Sequence, residues 1–148
     1  MPSARQHTIE RFFAAYAQRF NDSLKEKPVV DAAGVRNSFA PYFVEASPVG
    51  VQGGKNGLMF RMMIPRGFAH YKKIGTTAMN VTSLEVTDID DMHVMARVGW
   101  DSRYSKNGKE IRIPFENVYL LQVTDEGPKI FAYITGDEQK VMKEHGLL

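Results

Sequence analysis

An α+β fold, helices first and a curved antiparallel sheet second, is predicted by the way the hydrophobic pattern of this 148-residue sequence changes. Before Thr76 apolar residues recur at spacings of three and four, the period of an amphipathic helix. After it they alternate with a period of two, and turn signals at residues 88–91, 105–108 and 125–128 cut that half into consecutive strands.

The first helix rests on Ile9, Phe12, Phe13, Tyr16 and Phe20, with Leu24 beyond, whereas Glu10, Arg11, Gln18 and Arg19 fall elsewhere on the wheel. Ser3 followed by Gln6 fits a capping box. Lys27-Pro28 is expected to end the helix, because proline disfavours helical geometry in the residue before it. Asp31 can cap a second helix running through Phe39 and closed by Pro41. Tyr42 to Val44 reads as a brief strand, and residues 48–54, rich in glycine, as a loop at the rim of the fold. Asn56 is the expected cap of a third helix carrying Leu58, Met59, Met62 and Met63. Pro65 and Gly67 predict a kink or break before a second piece from Phe68 to Ile74.

In the sheet half, the strand from Met92 to Tyr104 puts Met92, Val94, Ala96, Val98, Trp100, Ser102 and Tyr104 on one face. His93, Met95, Arg97, Gly99, Asp101 and Arg103 take the other. The same parity places Ile111, Ile113, Phe115, Asn117, Tyr119, Leu121 and Val123 inward on the next strand. Pro114 lies on the opposite face and has no N–H to donate, which predicts an edge position or a bulge. A last strand from Lys129 to Thr135 leads to a helix from Asp137 to His145. Asp137 and Glu138 suit its positive end, Lys143 and His145 its negative end, and Gly146 its termination.

Composition narrows the function. With 43% hydrophobic and 24% charged residues the chain matches ordinary globular domains, and its length suits one domain over residues 1–148. No apolar run approaches the roughly 20 residues of a membrane span, and the N-terminus lacks a secretory pattern, so a cytoplasmic protein is expected. The absence of cysteine excludes disulfides, thiol nucleophiles and thiolate metal sites. A net charge of +2 spread along the chain argues against nucleic acid as a partner. Histidines and carboxylates show no metal-ligand spacing, and the glycines around residues 50–57 no phosphate-binding fingerprint, so no metal or other cofactor is expected.

The order of elements, with residues 43–50, the hairpin at residues 125–130 and the exit through residues 133–137, resembles the nuclear transport factor 2-like superfamily. The SnoaL-like and ketosteroid isomerase-like branch is nearest. The resemblance implies a cone-shaped, cystatin-like α+β roll whose hollow holds a small apolar or aromatic ligand, in a homodimer formed through the outer sheet face. Enzymes and non-catalytic binders share that fold, so chemistry has to be argued from the site. Carried over by position, the isomerase base falls in Ala46-Ser47, with Glu45 the nearest carboxylate. One oxyanion donor falls on Phe12, which has no hydroxyl, and the other on Tyr119. The epoxide hydrolase set falls near Arg97, Asp101 and Arg103, which face outward by parity. Dehydratase and cyclase members use a histidine from the region of His70.

The residues themselves supply candidates. Asn117 places an amide on an apolar inner face, where it needs a partner, either a ligand or a neighbouring protein group. Trp100, Tyr104, Phe115, Tyr119, Tyr133 and Tyr16 can line a pocket or simply pack the core. Met59, Phe60, Met62 and Met63 suit an adaptable wall for an apolar ligand, though such a run is more often a core stripe. His70 and Tyr119 are the candidate catalytic groups. The expectation is a pocket protein for an apolar or aromatic metabolite, with isomerase, dehydratase or cyclase activity as one reading. Non-catalytic binding and homodimeric interaction through the outer face are the others.

Overall fold

In the computed structural model, which describes residues 3–148, the order of elements is α1 (Ala4–Ser23), α2 (Ala32–Asn37), β1 (Phe39–Ser47), β2 (Gly50–Lys55), α3 (Leu58–Lys73), β3 (Thr76–Asp88), β4 (His93–Lys106), β5 (Lys109–Thr124), β6 (Gly127–Ile134) and α4 (Glu138–Glu144). The strands form one six-stranded sheet in the order β2-β1-β6-β5-β4-β3. All neighbours are antiparallel except β1 and β6, so the sheet is mixed, not purely antiparallel. That parallel pair arises because β1 precedes the α3 crossover and the long β3–β5 meander, after which β6 returns beside it. Register shifts in β3–β4 and at Leu120/Leu121 of β5–β6 are the irregularities by which such a sheet bends.

Helix α1 starts as expected, with the Ser3 Oγ accepting from the Gln6 N–H at 3.0 Å. The Gln6 amide donates to Glu10 instead of returning to Ser3, so only half of the capping box forms. Ile9, Phe13 and Ala17 are buried in the core with Val94, Ala96, Val98, Tyr119, Leu121 and Ile130, while Phe12, Tyr16 and Phe20 pack at its margin. The helix stops at Ser23, short of Lys27. Leu24 N–H bonds back to the Asn21 carbonyl at 3.1 Å. The Asn21 side chain donates to the Met79 carbonyl at 2.8 Å and accepts from the Met79 N–H at 2.9 Å. Asn21 therefore pairs with the open edge of β3 as a neighbouring strand would, which docks α1 and covers that edge.

The segment after α1 departs most from expectation. Asp31 caps α2, accepting from the Gly34 N–H at 2.9 Å, but the helix ends at Asn37 and the chain is already extended at Phe39. Residues 50–55 are strand β2 and not a loop. Edge strands tolerate glycine where a neighbour's side chain covers it, and here the Tyr42 ring and Val44 lie over Gly53. None of the β2 residues lines the cavity described below.

Helix α3 is capped by Gly57, not Asn56, whose amide instead donates to the Arg36 and Phe39 carbonyls at 2.7 and 3.1 Å. It runs unbroken through Pro65. Pro65 and Arg61, whose carbonyl loses its donor, are both exposed, so water can replace the lost bond. Met59, Met62 and Met63 are 74%, 50% and 60% exposed, which corrects the expectation of a core stripe: α3 buries Ile64 and half-buries Phe60 and Phe68 instead.

The sheet faces match the parity. Val94, Ala96, Val98, Trp100, Ser102 and Tyr104 are all buried, though Met92 at the strand's start is exposed. Pro114 lies in the part of β5 that β6 does not reach, since their pairing begins only at Val118. Its missing donor thus faces a locally open edge. On the outer face, where parity puts it, Asp101 is buried because Arg103 and Arg112 close over it at 3.0 and 2.5 Å. Those two guanidinium groups, Arg112 first, hold its carboxyl below the ordinary range. Helix α4, capped by Asp137, buries Met142 against Tyr104 and Ile113, with Leu147 behind it.

Candidate functional site

Between α1, α3, α4 and the inner sheet face lies a cavity of about 510 Å³, within the range usual for small-molecule sites. Its walls are aromatic for the most part: Phe20, Phe39, Phe43, Phe60, Phe68, Trp100 and Phe115. Trp100 and Phe115, paired across β4 and β5, stack at 6.4 Å with their planes 14° apart.

Polar groups enter this wall at defined places. The Trp100 indole N–H and the Asn117 amide both donate to the Tyr119 hydroxyl, each at 3.2 Å. The partner Asn117 requires is therefore in part supplied by the protein. A phenol oxygen that accepts twice keeps its own proton to give. Burial pushes the Tyr119 pKa up, offset in part by the Asn117 and Trp100 bonds, so the group stays a neutral donor. Tyr16, 6.2 Å away between ring centroids, is raised well above the ordinary phenol range by burial, with the Tyr119 and Tyr133 phenols adding to it.

Three acidic residues line the same space, Glu45, Glu138 and Asp137, the last of them engaged in capping α4. Glu45 on β1 accepts from the Tyr133 hydroxyl at 3.1 Å, as its register opposite Tyr133 dictates. Glu138, the first residue of α4, accepts from the Tyr71 hydroxyl of α3. Glu138 stands at the rim, exposed as a residue. Crowding around its carboxyl nevertheless raises the pKa, an effect the Tyr71 bond opposes and the Glu45 charge reinforces. A raised carboxyl pKa means that folding favours the protonated form, so its stability contribution is full below the ordinary value and fades as pH rises through the raised one. Glu138→Gln should therefore raise the melting temperature at pH 7 slightly, by no more than about 2 °C for a rim group. The difference should vanish near pH 4; a gain that grows on acidification would contradict the assignment.

Tyr16, Met63, Trp100, Tyr104, Phe115, Asn117, Tyr119 and Tyr133 all lie in the cavity wall. Met59 and His70 do not. Met59 points to solvent on the far side of α3. His70 is exposed beside the Tyr71 ring, on a shallow depression with Lys73, Ile74 and Leu147. Arg97, Asp101 and Arg103 stay on the outer face in ion pairs with Glu116, Arg112 and Glu110, outside the cavity. Among the described residues no cluster of three His, Asp or Glu side chains has the geometry to hold a metal ion.

Glu138, Tyr71 and Arg19 are wall residues that sequence patterning missed. The period-two register stops at Thr135, so nothing in it shows which way Glu138 turns. Arg19 occupies the margin of the α1 apolar stripe, three residues from Tyr16, and that spacing was the available signal.

This arrangement, a hollow under helices and a bent mixed sheet, is that of an NTF2-like α+β fold. The chain belongs to the family described as NTF2-like protein (DUF6841), whose model matches residues 5–138. No curated protein sequence matches it. Among solved structures it is similar to an NTF2-like protein with a cystatin-like fold from Novosphingobium aromaticivorans, at 16% identity and a TM-score of 0.67 over 97% of this chain and 88% of that one. It is also similar to an NTF2-like protein of unknown function from Shewanella oneidensis, at 13% identity and 0.66 over 90% and 99%. A ketosteroid isomerase-like protein from Erwinia carotovora atroseptica matches at 15% and 0.61 over 90% and 96%. At these identities the likeness concerns the fold. Among the described residues no helix is long and apolar enough to cross a membrane.

Proposed function

We propose that this chain is a SnoaL-like pocket protein that binds an apolar or aromatic small metabolite in the cavity beneath α1 and α3. The observation that carries this reading is the Tyr119 hydroxyl, fixed by Trp100 and Asn117 and left with a proton to donate inside an aromatic hollow. Such a donor orients a carbonyl or hydroxyl oxygen while the rings take up the apolar body.

A second reading, cofactor-independent isomerase, dehydratase or cyclase activity, is favoured by the Glu45–Tyr133 and Glu138–Tyr71 pairs. A carboxyl group with a raised pKa is suited to proton transfer, and Tyr119 would steady the developing oxyanion. His70 has no place in that scheme.

A homodimer through the outer sheet face fits the same picture. Cross-strand neighbours there form two apolar rows, Met95, Leu120, Ala132 and Val44 in one and Val118, Ile134, Ala46 and Val51 in the other. Native mass spectrometry of the purified protein tests both features together. Expected is twice the chain mass with a retained small molecule; a bare monomer at micromolar concentration would contradict both.

A further inference from the structure

We infer that the ligand of this cavity is an acid, an aromatic or apolar body bearing a carboxylate that pairs with Arg19. This deepens the pocket reading above and rests on it.

Arg19 lines the cavity from α1, one helical turn beyond Tyr16. Of its guanidinium donors, Nη2 is used, donating to the Ser38 Oγ at 2.6 Å. Nε is buried with no partner at all. Among the described residues no carboxylate lies within ion-pair distance of the group, whereas Arg97, Arg103 and Arg112 on the outer face each have one. Asp31 approaches the Arg19 side chain near Gly34, but its carboxylate is engaged in capping α2. The Ser38 hydroxyl that receives Nη2 passes its own proton to the Gly34 carbonyl, so it supplies no charge.

Arg19 is half-buried, and a guanidinium partly withdrawn from water without a counter-ion gains from a pairing anion. The three acidic groups in the wall do not fill this need: Glu45 is bonded to Tyr133, Glu138 to Tyr71, and Asp137 caps α4. Arg19 is thus the cation of the cavity that lacks a counter-ion. The Tyr16 hydroxyl, which has no hydrogen-bond partner among the described residues, stands three residues earlier on the same helix and donates to the second oxygen of the same carboxylate. The apolar body then lies along Phe20, Phe39, Phe60 and Phe115.

The test uses 2-naphthoate and its neutral counterpart 2-naphthylmethanol near pH 7, with the indole N–H signal of Trp100, the sole tryptophan, as the NMR reporter. The wild type should bind naphthoate about tenfold more tightly, the worth of one charge-assisted hydrogen bond. Arg19→Gln should erase the preference and leave naphthylmethanol within about twofold of its wild-type affinity, while Arg19→Lys retains part of it. Equal affinities in the wild type, or a preference that survives Arg19→Gln, would overturn the inference and leave the pocket reading standing. A Trp100 signal that neither probe moves would overturn both. Should Arg19→Gln fail to fold, the wild-type and Arg19→Lys comparison carries the decision.

Discussion

Replacing Phe13 with alanine is expected to remove about 3–5 kcal/mol of folding stability, the usual cost of deleting a buried aromatic ring. Phe13 is only 1% exposed and its ring meets Tyr119 at 4.8 Å, Phe12 at 5.0 Å and Tyr16 at 6.0 Å. It is the ring through which α1 presses on the middle of the sheet. The neighbours belong to two helical turns and a strand, so they cannot close the space together, and the void left behind adds to the lost transfer energy. Against a typical total of about 5–15 kcal/mol, the variant should unfold at a much lower denaturant concentration. A loss under about 1 kcal/mol would mean that α1 is not anchored where the structure has it.

Tyr119→Phe is the second large effect, and it acts by a different route. The ring stays, so packing is conserved; what disappears is the oxygen that accepts from Trp100 and Asn117. Each donor left unpaired costs about 1–3 kcal/mol when buried. The indole N–H sits on a residue that is 3% exposed and has little access to water, whereas the Asn117 amide is half-buried and can partly recover. A total near 2–4 kcal/mol is therefore expected by the same reckoning, read from denaturant midpoints. The Trp100 indole proton should also lose its protection from exchange. Stability within about 0.5 kcal/mol of the wild type would show that the three side chains do not form one chain of hydrogen bonds.

Where residue spacing is tied to a rigid repeat, the sequence was readable. Two-residue alternation put Trp100, Phe115, Asn117 and Tyr119 on one face because β4 and β5 pair continuously from His93↔Gln122 to Lys106↔Lys109 with no slip. The hairpin signals held for a similar reason: Asn107 and Gly108 both take positive φ, the conformation that the Asn-Gly pair favours. Reading failed where tertiary contacts override local preference. Gly53 and Gly54 signal a loop, yet Tyr42 and Val44 supply at Gly53 the packing that glycine lacks. Pro65 signals a break, yet exposure of the freed carbonyl makes the break unnecessary. The methionines of α3 follow a helical stripe, but which stripe faces inward is decided by Phe39 and Phe43, which receive Phe60 at 5.4 and 4.8 Å. The carboxyl groups of the site come from β1 and α4, segments that meet only after the sheet has formed, and no spacing rule links Glu45 to Glu138.

The measurement that bears most directly on the pocket is the set of intermolecular nuclear Overhauser contacts made by bound 2-naphthylmethanol. Contacts to ring protons of Trp100, Phe115 and Phe60, saturating together at one stoichiometry, are the expected result. Contacts confined to the exposed methyl groups of Met59 and Met62, or none that saturate, would mean that the hollow between helices and sheet does not accept a guest.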